Sequence, residues 1–318
     1  MLTTSCHSLP LRIIMLRQPS HPTHPRPSRL RRHSPASHFS THPTHHHRPF
    51  RQPLPRTHSK LPLSSSIISK HSSSAPTHFL ASSHQQSQTS KNLQTLDMSH
   101  NSFTGSLPNS LTQLTQLTRL DLSFNKLTGP IPKLPKNLIQ LALKSNSLSG
   151  YLTKQSFTES TQLEVIELSD NSLTEQFPAG FLTPSTQQIN LANNSFTGLV
   201  ILKPVNSTLV AVNLGFNKLY GYLPATFPAY SMLASLSLSY NKLRGRIPSE
   251  YSKISRLFLE GNLLIGLPPK ELFSRKISIT GSLGDNCLKS CPVWSELCVK
   301  SQKPFSICQK AYQGKVKQ

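Results

Sequence analysis

Asparagine recurs at Asn101, Asn125, Asn146, Asn171, Asn194, Asn217, Asn241 and Asn262, in steps of 24, 21, 25, 23, 23, 24 and 21 residues. Each one closes the same frame of three apolar residues, for example Leu93, Leu96 and Met98 before Asn101, or Leu117, Leu120 and Leu122 before Asn125. Only Thr186, which opens the fifth copy, breaks the frame. A unit this short cannot enclose a core of its own, so successive units must stack and share one. Within a unit, the last two apolar residues alternate with polar ones, which places both on one side of a short strand. The short carboxamide of the asparagine can donate to and accept from backbone groups where the chain leaves that strand. The period therefore predicts a solenoid in which the eight asparagines form a structural ladder.

A second pattern follows the asparagine, as in Phe103-Thr104-Gly105-Ser106-Leu107-Pro108, Leu127-Thr128-Gly129-Pro130-Ile131-Pro132 and Leu243-Arg244-Gly245-Arg246-Ile247-Pro248. With the preceding frame, this resembles the plant-type extracellular leucine-rich repeat, found in receptor-kinase ectodomains, receptor-like proteins and secreted cell-wall proteins. The resemblance runs from about Lys91 to the C-terminus. It implies an α/β solenoid: a right-handed superhelix with a concave parallel β-sheet and a second short strand in each turn. Copies three to five depart from the pattern, with Thr153 for the proline, Glu175 for the glycine, and Leu199-Val200-Ile201 after Gly198. The middle of the solenoid is accordingly expected to be irregular.

The predicted domain boundaries are a tail over residues 1–90, a solenoid over 91–285 and a C-terminal cap over 286–318. The solenoid has eight repeats and a degenerate ninth marked by Asn286. Cys287, Cys291, Cys298 and Cys308 fall in the cap, and their spacings do not match a zinc site. Two disulfides closing the open apolar end are expected, with three connectivities open, and they imply an oxidising compartment. Asn193-Asn194-Ser195 and Asn206-Ser207-Thr208 are glycosylation acceptor sequences, at Asn193 and Asn206. Together with the resemblance, these features imply an extracellular or cell-wall location, although no clear signal peptide or cysteine-bearing N-terminal cap is visible. No apolar run is long enough to span a membrane.

Residues 1–90 carry 11 of the Lys and Arg residues, 13 of the 14 histidines and no acid, hence +11 of the net +22. Their Ser, Pro and His richness, without apolar periodicity, predicts a disordered tail. A transit peptide, a basic arm for acidic surfaces and a histidine-rich metal binder all fit parts of that composition. A fourth reading rests on Val, Asp, Glu and Gly being absent and Ala occurring only at 36, 75 and 81. These five common residues share a first-position G in the genetic code. Their loss suggests a shifted or untranslated frame, which transcript reads across the start would settle.

Catalysis is not expected. Asp97, Asp121 and Glu167 share one outward slot of their strands, but His100 is the single histidine of the repeat region and no nucleophile motif accompanies them. No cofactor or metal site is indicated. Recognition remains, with the concave sheet as platform. Candidate contact residues on it are Asp97, Arg119, Asp121, Glu167, Asn190, Asn213, Arg256 and Phe258, with Phe124, Phe216 and Tyr240 just before the ladder. A protein or peptide ligand suits this mixed surface, and no feature points to specific nucleic-acid binding. The alternative is adhesion to an acidic cell-wall polysaccharide or inhibition of a wall-degrading hydrolase. From Lys242 onward there are 14 basic and 5 acidic residues, a balance of 14 minus 5, or +9.

Overall fold

The computed structural model describes residues 92–178, 181–199, 201, 207–274 and 278–313. Every described residue lies in one compact unit, residues 66–318. The tail over 1–90 and the acceptor Asn206 fall outside the described residues.

Nine coils follow one another, each with a three-residue strand, which the apolar frame makes in the first eight. These strands are β1 (Thr95–Asp97), β3 (Arg119–Asp121), β5 (Gln140–Ala142), β7 (Val165–Glu167) and β9 (Gln188–Asn190), then β11 (Ala211–Asn213), β13 (Ser235–Ser237), β15 (Arg256–Phe258) and β17 (Thr280–Ser282). They pair in parallel, each with the next, as one nine-stranded sheet. Register is strict. Thr95, Leu96 and Asp97 face Arg119, Leu120 and Asp121, and so on to the ninth coil. Period-2 alternation then settles the faces: Leu120, Leu122, Leu168 and Leu238 have no exposed surface, while Asp121, Glu167 and Ser237 between them are only half-buried.

The second pattern makes the opposite layer. β2 (Thr104–Ser106), β4 (Lys126–Gly129), β6 (Ser147–Tyr151), β8 (Ser172–Phe177) and β10 (Ser195–Leu199) form one parallel sheet. β12 (Tyr220–Tyr222), β14 (Lys242–Gly245), β16 (Leu263–Gly266) and β18 (Cys287–Leu288) form another. The layer breaks between β10 and β12, next to a register shift at Phe196 and Gly198. Thr153 stands where a proline was expected and caps α1 (Lys154–Phe157), its Oγ1 accepting the Ser156 N–H at 3.1 Å. That helix buries Phe157, which meets Phe181 edge-on at 4.4 Å, and Phe177 meets Phe181 at 4.8 Å. Three aromatic rings thus fill the irregular middle.

Glu175 takes the left-handed backbone, φ 69°, that glycine takes at the equivalent turn in Gly129, Gly150 and Gly245. An L-residue is strained there, so Glu175→Gly is expected to raise the unfolding free energy by about 0.5–1 kcal/mol. Urea denaturation checks this.

The ladder is a hydrogen-bond device with a fixed design. Asn241 is 7% exposed; its Nδ2 donates to Leu238 O at 3.1 Å and Ser239 O at 3.1 Å in its own coil, and to Leu214 O at 3.0 Å one coil back. Its Oδ1 accepts the Leu219 N–H of that earlier coil at 2.9 Å. The same set recurs at Asn125, Asn146, Asn171, Asn194, Asn217 and Asn262. Asn101 differs. Exposed in the first coil, it donates only to Met98 O and Ser99 O.

Asn286 also makes the full set, to Leu283 O, Gly284 O, Leu259 O and the Leu264 N–H. The solenoid therefore continues through Cys287–Leu288, past the boundary expected at residue 285. The pairing is Cys287 with Cys308 and Cys291 with Cys298, one loop inside the other. The chain from Leu297 to Lys303 closes the last coil through Leu283 N–H to Leu297 O, Asp285 N–H to Ser301 O and Lys303 N–H to Asn286 O. α2 (Phe305–Gln313) then crosses to the outer layer, where the Tyr312 hydroxyl accepts the Gly245 N–H at 3.0 Å and donates to Leu263 O at 2.6 Å. Among the described residues, no helix is long and apolar enough to cross a membrane.

Candidate functional site

The nine-stranded sheet turns two columns of side chains away from the core. One runs Thr95, Arg119, Gln140, Val165, Gln188, Ala211, Ser235, Arg256, Thr280; the other runs Asp97, Asp121, Ala142, Glu167, Asn190, Asn213, Ser237, Phe258, Ser282. Adjacent strands are separated by about 4.8 Å, so eight steps give a face on the order of 38 Å long. That length matches roughly eleven residues of extended polypeptide.

The second column has a job that sequence reasoning missed. Asp97 Oδ1 accepts the Ser99 N–H at 3.1 Å, Asp121 Oδ1 the Ser123 N–H at 3.0 Å and Glu167 Oε1 the Ser169 N–H at 3.0 Å. Asn190 and Asn213 accept from Ala192 and Gly215 in the same way, both at 3.1 Å. Each side chain satisfies the donor two residues on, where the chain bends out of the strand. Asn190 also donates to Glu167 Oε2 at 2.9 Å. These five candidate contacts therefore shape the strand exit as well as facing outward. The sequence signal was an acceptor recurring at one slot.

A third row borders the sheet. The residue before every ladder asparagine has positive φ: His100, Phe124, Ser145, Asp170, Asn193, Phe216, Tyr240, Gly261 and Asp285. Aromatic residues there are strained, and stacking between coils compensates. His100 lies on Phe124 with centroids 4.3 Å apart and planes 12° apart, and Phe216 on Tyr240 at 4.5 Å and 18°. Their outer edges stay open, with Phe124 42% and Phe216 49% exposed.

Between the two stacks, Asp170 accepts from Asn193 Nδ2 at 2.9 Å and from Ser145 Oγ at 3.3 Å, with Lys144 Nζ at 3.7 Å. The acceptor residue Asn193 thus stands exposed on this row. At the far end, Lys300 reaches back from the cap. Its Nζ lies 3.0 Å from Glu260 and 3.4 Å from the Tyr240 hydroxyl, 5.8 Å above the Tyr240 ring. Burial alone would lower its pKa, but the bonds to Glu260 and Tyr240 outweigh that and hold the ammonium above its usual range. Lys144, Asp170, Glu260 and Lys300 were absent from the expected contact residues. Arg119 is half-buried and Arg256 exposed, each one place in from an end of the first column.

Models of the leucine-rich repeat match residues 91–136, as two copies, and residues 232–254. Among solved structures, the plant peptide hormone receptor RGFR1, in complex with RGF2, is 30% identical over 62% of this chain and 33% of its own, with a TM-score of 0.56. A plant ice-binding protein is 24% identical over 70% of this chain and 71% of its own, with a TM-score of 0.55, a likeness of fold alone. No curated protein matches the chain significantly. This chain spans about a third of the receptor it resembles. Stacked coils, amide ladder and repeat matches make it a leucine-rich-repeat protein. Its repeats are similar to those of the plant peptide hormone receptor.

Proposed function

We propose that the inner sheet face recognises an extended peptide or protein segment outside the cell. The observation that carries this reading is the unbroken nine-strand register, which holds two polar columns and an aromatic-edged row rigid over the whole face. Rigid, mixed surfaces of this kind suit polypeptide ligands, whose side chains alternate in charge and polarity. The hormone complex of the 30%-identical receptor lends analogy. Two disulfides support an oxidising compartment.

Panning a displayed peptide library against the full chain tests the proposal. Selected peptides are expected to lose at least about tenfold in affinity, near 1.4 kcal/mol, on Arg119→Glu or Gln188→Ala. Lys154→Ala, away from the sheet, is expected to change nothing. Peptides that bind equally well to all three variants would remove the inner face as the site.

A further inference from the structure

The C-terminal cap carries a surface that the inner-face reading does not use. Five large apolar residues within residues 293–307 stand exposed: Val293 at 93%, Trp294 at 73%, Phe305 at 78%, Val299 and Ile307. Two disulfides hold this segment, so the exposure belongs to a fixed surface. The Cys291–Cys298 bond closes the loop that presents Val293 and Trp294, and Val299 follows it directly. The Trp294 ring meets Phe273 edge-on at 5.9 Å, against the short helical turn Lys270–Phe273.

These residues stand at the end of the solenoid. The chain from Leu297 to Lys303 closes the ninth coil, and among the described residues no strand pairs beyond β17 or β18. α2 runs back from there, and Cys308 and Tyr312, four residues apart, share its inward side through the bonds to Cys287, Gly245 and Leu263. Phe305 lies on that same side one turn earlier and is nonetheless exposed, so the first turn of α2 overhangs the last coil. Val299 and Phe305, six residues apart, are separated by at most about 22 Å. Charge surrounds the patch with one sign. Residues 286–318 hold six lysines and one acid, Glu296, a balance of 6 minus 1, or +5. Lys300 and Lys303 are paired with Glu260 and Asp285, whereas Lys289 and Lys310 are exposed and form no ion pair among the described residues. Lys270 and Glu271, on the turn beside Trp294, cancel.

We propose that this end of the solenoid docks on the surface of an anionic lipid bilayer. Val293, Val299 and Phe305 enter the boundary between headgroups and acyl chains, the Trp294 indole settles at headgroup level, and Lys289 and Lys310 meet the lipid phosphates. A tryptophan among exposed aliphatic and aromatic side chains, with unpaired lysines beside it, supplies both the apolar and the electrostatic part of interfacial binding. A second copy docked end to end would bring together two caps of like charge. A polysaccharide would use the cations but leave the apolar side chains wet.

Trp294 is the one tryptophan of the chain, so its emission reports on this surface alone. The full chain is mixed with vesicles of phosphatidylcholine containing about 30% phosphatidylserine, their acyl chains brominated as quencher, at about 0.15 M salt where screening acts over roughly 8 Å. A blue shift and saturable quenching are expected. Residues 1–90 hold no tryptophan, so vesicle capture by that basic segment alone gives neither change. Val293→Ser/Phe305→Ser, at two exposed positions outside the core, reduces the quenching at least about tenfold. Lys289→Glu/Lys310→Glu raises the lipid concentration for half-maximal quenching at least about fivefold. Gln188→Ala on the inner face changes neither, which separates this surface from the one proposed above. The proposal is overturned by an unshifted Trp294 emission, by full quenching of the serine variant, or by indifference to the charge reversal. A blue shift that grows with protein concentration in the absence of lipid would also overturn it and assign the patch to a second copy.

Discussion

Asn241→Ala lowers the unfolding free energy by at least about 3 kcal/mol, while Asn101→Ala lowers it by less than about 1 kcal/mol. The two residues share one motif position but not one environment. Removing the Asn241 amide leaves the Leu219 N–H without its acceptor and takes one of two donors from each of the Leu214, Leu238 and Ser239 carbonyls, which keep Asn217 Nδ2, Asn262 Nδ2 and the Phe216 N–H. A buried N–H left without a partner costs about 1–3 kcal/mol, and each of the three lost carbonyl bonds adds about 0.5–1.5 kcal/mol. Asn101 is exposed, and water replaces its two bonds. Urea denaturation followed by circular dichroism measures both. Equal losses at the two positions would mean that the ladder does not join coils.

Cys287→Ser with Cys308→Ser lowers stability by about 3 kcal/mol, because the bond closes a loop of 21 residues, and Cys291→Ser with Cys298→Ser by about 2 kcal/mol for a loop of 7. The outer bond has a further effect that the inner lacks. It ties α2 to β18, and α2 carries the Tyr312 hydroxyl that joins Gly245 to Leu263. Its loss therefore frees amide protons two coils away. Hydrogen exchange at Gly245 is expected to accelerate in the first pair of variants and stay slow in the second. Identical exchange in both would show that the helix is held without the bond.

How far the sequence discloses this molecule depends on which forces repeat. The inward leucines and the asparagines recur because every coil meets the same neighbour in the same register, so periodicity exposes them. The ninth coil keeps Leu283 and Asn286 but has Ser278 and Gly281 in the other two apolar slots, and it fades from the pattern. At Gly281 a Cβ would collide with the Leu257 carbonyl oxygen, so backbone approach replaces side-chain packing there. Features made once are not periodic. Lys300 meets Glu260 across 40 residues, the disulfide partners pair in one of three ways, and the outer layer breaks at a single point beside Gly198. The aromatic candidates Phe124, Phe216 and Tyr240 were visible as residue types, but their left-handed backbone and their stacking between coils required coordinates.

Cysteine accessibility at two adjacent positions asks most directly whether the coils share one interior and offer the other face for contact. In a chain carrying Ser237→Cys, a maleimide is expected to label the new thiol within minutes in native buffer. In a chain carrying Leu238→Cys, labelling is expected only after denaturant is added. A reactive cysteine at 238 with a protected one at 237 would put the solenoid inside out and end the account.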